Sequence, residues 1–207
     1  MNPYDRYILP YLIDLACSTR PHAKQRQKVV PQATGRVLEV GMGSGLNLQF
    51  YNPSQVEFVW GLEPSLGMRH RAEQRVREAP FEIRWLDLPG EEIPLEDESA
   101  DTIVVTYTLC SIPDVNAALM QMRRVLRPGG KLLFVEHGLA PDPKVQTWQH
   151  RINPTWKVIA GGCHLNRDMP SLLRHAGFAL QELETMYLPG TPKFAGFEYW
   201  GVATKSS

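Results

Sequence analysis

Cysteine, net charge and long apolar runs are all scarce in this 207-residue chain. Its three cysteines, Cys17, Cys110 and Cys163, are far apart and odd in number. That argues against a disulfide framework and fits a reducing, cytoplasmic setting. No C-x-x-C pair suggests zinc, so no metal ligand is expected. The 22 Lys and Arg balance 22 Asp and Glu. A nucleic-acid partner, which would call for a basic excess, is therefore not expected. Arg69, Arg71, Arg75 and Arg77 cluster on one predicted helix, but Glu73 and Glu78 interleave with them, as on a solvated face. No stretch approaches the apolar length of a membrane span. The N-terminus lacks a basic region, apolar core and small-residue cleavage site in series, so no signal peptide is expected. Repeats and low-complexity segments are also missing. Hydrophobic content of 43% and charged content of 21% are those of a globular protein, and the length predicts one domain over 1–207.

What is present is concentrated in Val37-Leu38-Glu39-Val40-Gly41-Met42-Gly43-Ser44-Gly45. The apolar, β-branched start reads as a buried parallel strand. The glycines allow a tight turn in which backbone can approach a ligand. Leu46 to Tyr51 is expected to open a helix whose N-terminus favours polar or anionic groups. A dinucleotide loop, G-x-G-x-x-G, would need glycine at position 46, where this chain has Leu.

Strand and helix signals then alternate. Val56 to Leu62, Phe81 to Leu86, Ala100 to Thr106 and Lys131 to Glu136 read as further strands. A helix from Val115 to Leu126 ends at Arg127-Pro128-Gly129-Gly130. Glu63 closes the second strand, where an acid can accept hydrogen bonds from a ribose diol. The rhythm implies a doubly wound α/β fold, a mostly parallel sheet with helices on both faces.

With Glu39-x-Gly41-x-Gly43-x-Gly45, Glu63, Asp87-Leu88, Pro94-Leu95-Glu96-Asp97 and Arg123 to Leu133 in this order, the chain resembles a class I S-adenosylmethionine-dependent methyltransferase over roughly residues 30 to 205. Thr108 to Ile112, Glu136-His137 and Gly162 to Asp168 resemble the small subgroup that includes alkyl-thiol methyltransferases. The resemblance implies seven strands, the last one antiparallel and inserted between the fifth and sixth. It implies S-adenosylmethionine as cofactor. Gly41, Gly43 and Gly45 would line its methionine moiety, and Glu39 would hold the ammonium directly or through water. Glu63 would take the ribose hydroxyls, Asp87 the adenine amino group, and Leu88 would donate its backbone N–H to the ring. Thr106 and Tyr107 would lie near the methionine tail. Pro64 and Met68 flank the adenine or simply pack.

The flanks carry the remaining expectations. Tyr4, Tyr7, Ile8, Tyr11, Leu12 and Leu15 recur at helical spacing, predicting a helix over 4–18 packed on the domain edge by that stripe. The alternatives are a lid over the cofactor cleft, within N-terminal helices spanning 1–33, or a peripheral membrane contact. Residues 24–33 predict a second helix. Residues 138–168, with Pro141, Pro143 and Pro154, read as an inserted cap of short helices. Trp148 and Trp156 wall a pocket there or tie the cap down. Pro170 to Ala176 reads as a helix with Asp168 as N-cap, and Phe178 to Tyr187 and Phe194 to Thr204 as the last strands.

His137 follows the fifth strand, which makes it a candidate base or orienting group, or a structural histidine bonded to the cap. Cys110 either faces the transferring methyl or is a buried inert thiol. The acceptor expected is a small molecule, a thiol first, since a free thiol ionises near pH 8.5 and needs little assistance. A quinone precursor, phenol or phospholipid headgroup is the alternative, as is a binding module without turnover. Metalloid methylation draws little support from cysteines so far apart in sequence.

Overall fold

The computed structural model describes residues 8–206. Its frame is a seven-stranded sheet: β1 (Gly35–Val40), β2 (Val56–Leu62), β3 (Glu82–Leu86), β4 (Ala100–Thr106), β5 (Leu126–His137), β6 (Phe178–Tyr187) and β7 (Phe197–Lys205). The spatial order is β3-β2-β1-β4-β5-β7-β6, and β7 alone runs antiparallel, between β5 and β6. The order reverses between β1 and β4, which opens a crevice at their carboxyl ends.

Side-chain alternation along the strands builds a core on each face. Leu38, Ile103, Val105 and Phe134 pack with Leu119 and Met122 of helix α4 (Val115–Val125). Val37, Val59, Val104 and Leu133 pack on the other face with Val29 and Val30. Each fully buried aliphatic side chain of this kind contributes roughly 1.5–3 kcal/mol. Helix α3 (Leu66–Glu78) is capped by Ser65, whose hydroxyl accepts from the Met68 N–H at 3.4 Å. Asp114 caps α4 and Asp168 caps α6 (Met169–His175) in the same way.

Several segments depart from expectation. Only a 3-10 turn, Leu48–Phe50, follows β1 where an α-helix was predicted. Asn47 and Tyr51 turn inward to bond the buried Glu39, which holds this segment against the sheet.

Helix α1 (Leu9–Cys17) presents its faces the opposite way round. Ile8, Tyr11, Leu12 and Leu15 are exposed, while Leu9, Pro10 and Asp14 are buried. Tyr4 and Tyr7 lie outside the described residues. The inward face is chosen by Asp14, which accepts hydrogen bonds from Ser44 Oγ and, at 2.6 Å, from Arg71 Nη2. Helix α2 (Arg20–Val29) starts earlier than its apolar pattern suggests, with Pro21 in its first turn.

The cap is one long helix, α5 (Pro143–Ile159), with Pro154 inside it, rather than several short ones. Its buried face is polar. Gln149 donates to the carbonyls of Gly138 and Phe194 and accepts from the Ala140 N–H, while Asn153 accepts from the Leu165 N–H. Among the described residues, no helix is long and apolar enough to cross a membrane.

Candidate active site

A cavity of about 580 Å³ opens at the crevice, within the usual size of a small-molecule site. Its floor is Gly41, Met42, Gly43, Ser44 and Asn47, with Thr106, Tyr107 and Thr108 from the end of β4. Helix α1 closes one side with Leu9, Pro10, Ile13, Asp14 and Cys17. The C-terminal end of α5 and the turn after it close another, through Val158, Gly161 and Gly162.

Local sequence explains this floor. Gly41 and Gly43 have φ of +67° and +57°, which L side chains rarely adopt, and a Cβ on Gly41 would run into the Thr108 side chain. Gly45 has another duty: a Cβ there would press on Leu48 and Ala72, so it lets loop and α3 pack, and it does not line the cavity.

Glu63 lines the wall. Its carboxylate accepts from the Gly43 N–H at 2.9 Å and the Ser65 N–H at 2.8 Å. Burial raises its pKa, and those two N–H groups offset part of the rise. Each carboxylate oxygen keeps a lone pair for a further donor.

Glu39 is 1% exposed and does not reach the cavity. It accepts from Tyr51 Oη at 2.7 Å and Asn47 Nδ2 at 3.0 Å, and burial pushes its pKa up to about 7. The lining group is Asn47 instead. Its Nδ2 also donates to Thr106 Oγ1 at 3.0 Å, which leaves Oδ1 buried with no partner.

Other expected positions divide. Met68, Thr106 and Tyr107 line the cavity, whereas Pro64, Asp87 and Leu88 do not. Asp87 is mostly exposed and pairs with Arg69 at 2.9 Å, while Leu88 packs against the core. Helix α3 carries Arg69 over the end of β3, where it meets Asp87.

Arg26 is a lining residue the sequence reading missed. It is 4% exposed, donates to the Cys17 carbonyl at 2.7 Å and stacks 4.8 Å from the Tyr107 ring centroid. Its Nε has no partner, and no carboxylate lies within ion-pair distance among the described residues. Its helix is polar almost throughout, so no apolar stripe marked its inward face.

His137 is absent from the cavity wall. Its Nε2 lies 3.0 Å from Cys163 Sγ, which also accepts from Trp156 Nε1 at 3.3 Å. It therefore contacts a residue within the segment 138–168 read as the cap, as the structural alternative for this histidine expects, rather than the cavity. Cys110 stands beside this pair, so two cysteines 53 positions apart in sequence meet in space. The Cys110 thiol's hydrogen bond and, against the effect of burial, His137 lower the Cys163 pKa. Burial would lower His137, but Cys163 and Glu136 outweigh it and raise it.

Buried Glu136 holds the loop that presents Cys110, accepting from the backbone N–H groups of Thr108, Leu109 and Cys110. Arg167 grips the same loop through the carbonyls of Leu109 and Ile112.

One protein family, described as a methyltransferase domain, matches residues 38–134. The thiol S-methyltransferase TMT1B of Homo sapiens is 33% identical over 215 residues, covering 94% of this chain and 87% of that protein. A phosphatidylethanolamine N-methyltransferase of Cereibacter sphaeroides is 36% identical over 107 residues, covering 50% of this chain and 51% of that protein. The solved structure of the YcgJ protein from Bacillus subtilis shares the fold, with a TM-score of 0.67 at 16% identity, covering 90% of this chain and 99% of that one. With the glycine loop, the strand order and a relative that spans nearly its whole length, the chain belongs to the class I S-adenosylmethionine-dependent methyltransferases.

Proposed function

We propose that this enzyme transfers the methyl group of S-adenosylmethionine to a small thiol. The observation that carries the reading is the extent of similarity to the thiol S-methyltransferase, 94% of the chain against 50% for the phospholipid enzyme. That extent reaches well beyond the core matched at 38–134, and elements on both sides of that core complete the cavity wall. Their lining residues Leu9, Pro10, Ile13 and Val158 are apolar and suit an alkyl or aryl thiol.

The donor set fits the cofactor. Glu63 would accept from the ribose hydroxyls. The unpartnered Asn47 Oδ1 would accept from the ammonium, with Glu39 positioning Asn47 from behind. Gly41 and Gly43 leave room for the methionine moiety. Arg26 offers an unpaired cation to an anion, the cofactor carboxylate or the acceptor thiolate. The cofactor itself supplies an electrophilic methyl on a sulfonium. The residues of this chain orient the partners and exclude water, and such orientation supplies up to roughly 7–11 kcal/mol. His137 is not the base in this reading, because it faces Cys163; a thiol near pKa 8.5 needs only a nearby cation to ionise. Neutral overall charge supports a small acceptor over a nucleic acid, and unpaired cysteines support a cytoplasmic setting.

The test is S-adenosylhomocysteine release with a panel of alkyl and aryl thiols, phenols, amines and a phospholipid. Turnover confined to thiols, with the methyl thioether found by mass spectrometry, is expected. A methylated amine or phenol without any thioether would sink the thiol reading and leave the methyltransferase standing.

A further inference from the structure

Cys110, His137 and Cys163 come from three separate segments: the loop after β4, the end of β5, and the turn after α5. Their ligand atoms, two sulfurs and a ring nitrogen, all lie within 4.8 Å of one another. We propose that these three side chains form a binding site for a zinc-class divalent cation.

The ligand types fit. Two thiolates and an imidazole are the donors that borderline-soft divalent metals prefer, and a Cys₂His set leaves one tetrahedral position open. The distances fit after small movements. With metal–sulfur bonds of about 2.3 Å and metal–nitrogen bonds of about 2.0 Å, tetrahedral ligand atoms stand roughly 3.5–3.8 Å apart. The His137–Cys163 separation of 3.0 Å would open by about half an ångström, and Cys110 Sγ needs to move in by no more than about 1.3 Å.

The surroundings are organised rather than incidental. Glu136 and Arg167 fix the backbone that carries Cys110, one through its N–H groups and the other through the carbonyls of Leu109 and Ile112. The His164 N–H donates to the Cys110 carbonyl at 2.8 Å and ties the two cysteine segments together. Trp156 Nε1–H already points at Cys163 Sγ, as an outer donor to a metal-bound thiolate would.

The place is also suggestive of use. Ser111 and Gly162, the chain neighbours of Cys110 and Cys163, line the cavity. A bound ion would therefore sit just behind the cavity wall, with its open position available to water or an exogenous sulfur. On binding, the proton of Cys110 and the one shared by His137 and Cys163 leave to solvent.

The experiment is a cobalt(II) titration of fully reduced, metal-stripped whole protein, followed by back-titration with zinc(II). Expected is one equivalent of cobalt with the visible bands and thiolate charge transfer of a tetrahedral site, abolished by zinc. Cys163→Ser and His137→Gln should each weaken binding at least about tenfold, and Trp156→Phe by up to about tenfold. Cys17→Ser should leave the spectrum unchanged. If one variant fails to fold, the other still decides. No tetrahedral cobalt spectrum in the reduced wild-type protein, or the same spectrum and affinity in both ligand variants, would overturn the proposal.

Discussion

Asp14 fastens α1 over the glycine loop, so its removal should loosen the wall of the cavity. The Asp14 side chain is 11% exposed and pairs with Arg71, which is 31% exposed. Arg75 stands 3.7 Å away on its other oxygen, and Ser44 Oγ donates to it. Hydrogen bonds to a charged group contribute about 1.5–3 kcal/mol, but the arginines can partly rehydrate. Asp14→Ala should therefore cost about 2 kcal/mol of α1 docking, roughly a 30-fold shift in that equilibrium. Leu9, Pro10, Ile13 and Cys17 would leave the wall together. Apparent affinity falls with the fraction docked, so S-adenosylhomocysteine binding by calorimetry should weaken by about 3- to 30-fold. Amide exchange over Leu9–Cys17 should quicken in parallel. Burial raises the Asp14 pKa, but hydrogen bonds from Arg71 and Ser44 outweigh it and lower it from 3.8. Docking is then intact at neutral pH and loosens only as pH falls below that value. Unchanged exchange together with unchanged affinity would refute the fastening role.

Two further outcomes follow from buried carboxylates. Glu63→Ala strips acceptors from the Gly43 and Ser65 N–H groups and, in the proposed binding mode, from the ribose, and should weaken cofactor binding by about 10- to 100-fold; equal affinity would remove Glu63 from the site. Burial pushes Glu136 from 4.5 up to about 7, so its stabilising contribution is full below the lower value and lost as pH rises through the upper one. That loss is at most about 3 kcal/mol. Glu136→Gln should flatten this stretch of the stability curve in urea unfolding, and an unaltered slope would show that Glu136 does not titrate there.

Strands and the glycine loop were legible because their signals are local. Val37 to Gly45 carries a β-branched run and a turn that only glycine accommodates, and neither depends on what packs above them. Arg127-Pro128-Gly129-Gly130 ended α4 for the same reason, although the chain re-enters the sheet at Leu126, earlier than its apolar run suggested. Motif order then placed Glu63, Met68, Thr106 and Tyr107 at one cavity.

Polar burial was not legible, because its reward comes from partners distant in sequence. The inward face of α1 is set by Asp14 meeting Ser44 and Arg71, against the apolar stripe that spacing alone would bury. Helix α5 continues through Pro154 because Gln149 and Asn153 anchor it to backbone groups on both sides. Glu39 was read as a ligand by its place in the motif, yet Tyr51 and Asn47 claim both its oxygens. Cys110 and Cys163 looked scattered until β4, β5 and the cap brought them to His137. The sequence alone determined the class of fold and the glycine turn at the floor of the cavity, since both rest on short-range backbone chemistry. The tertiary structure decided which side chains wall that cavity and which cysteines meet, since those contacts exist only after distant segments have packed.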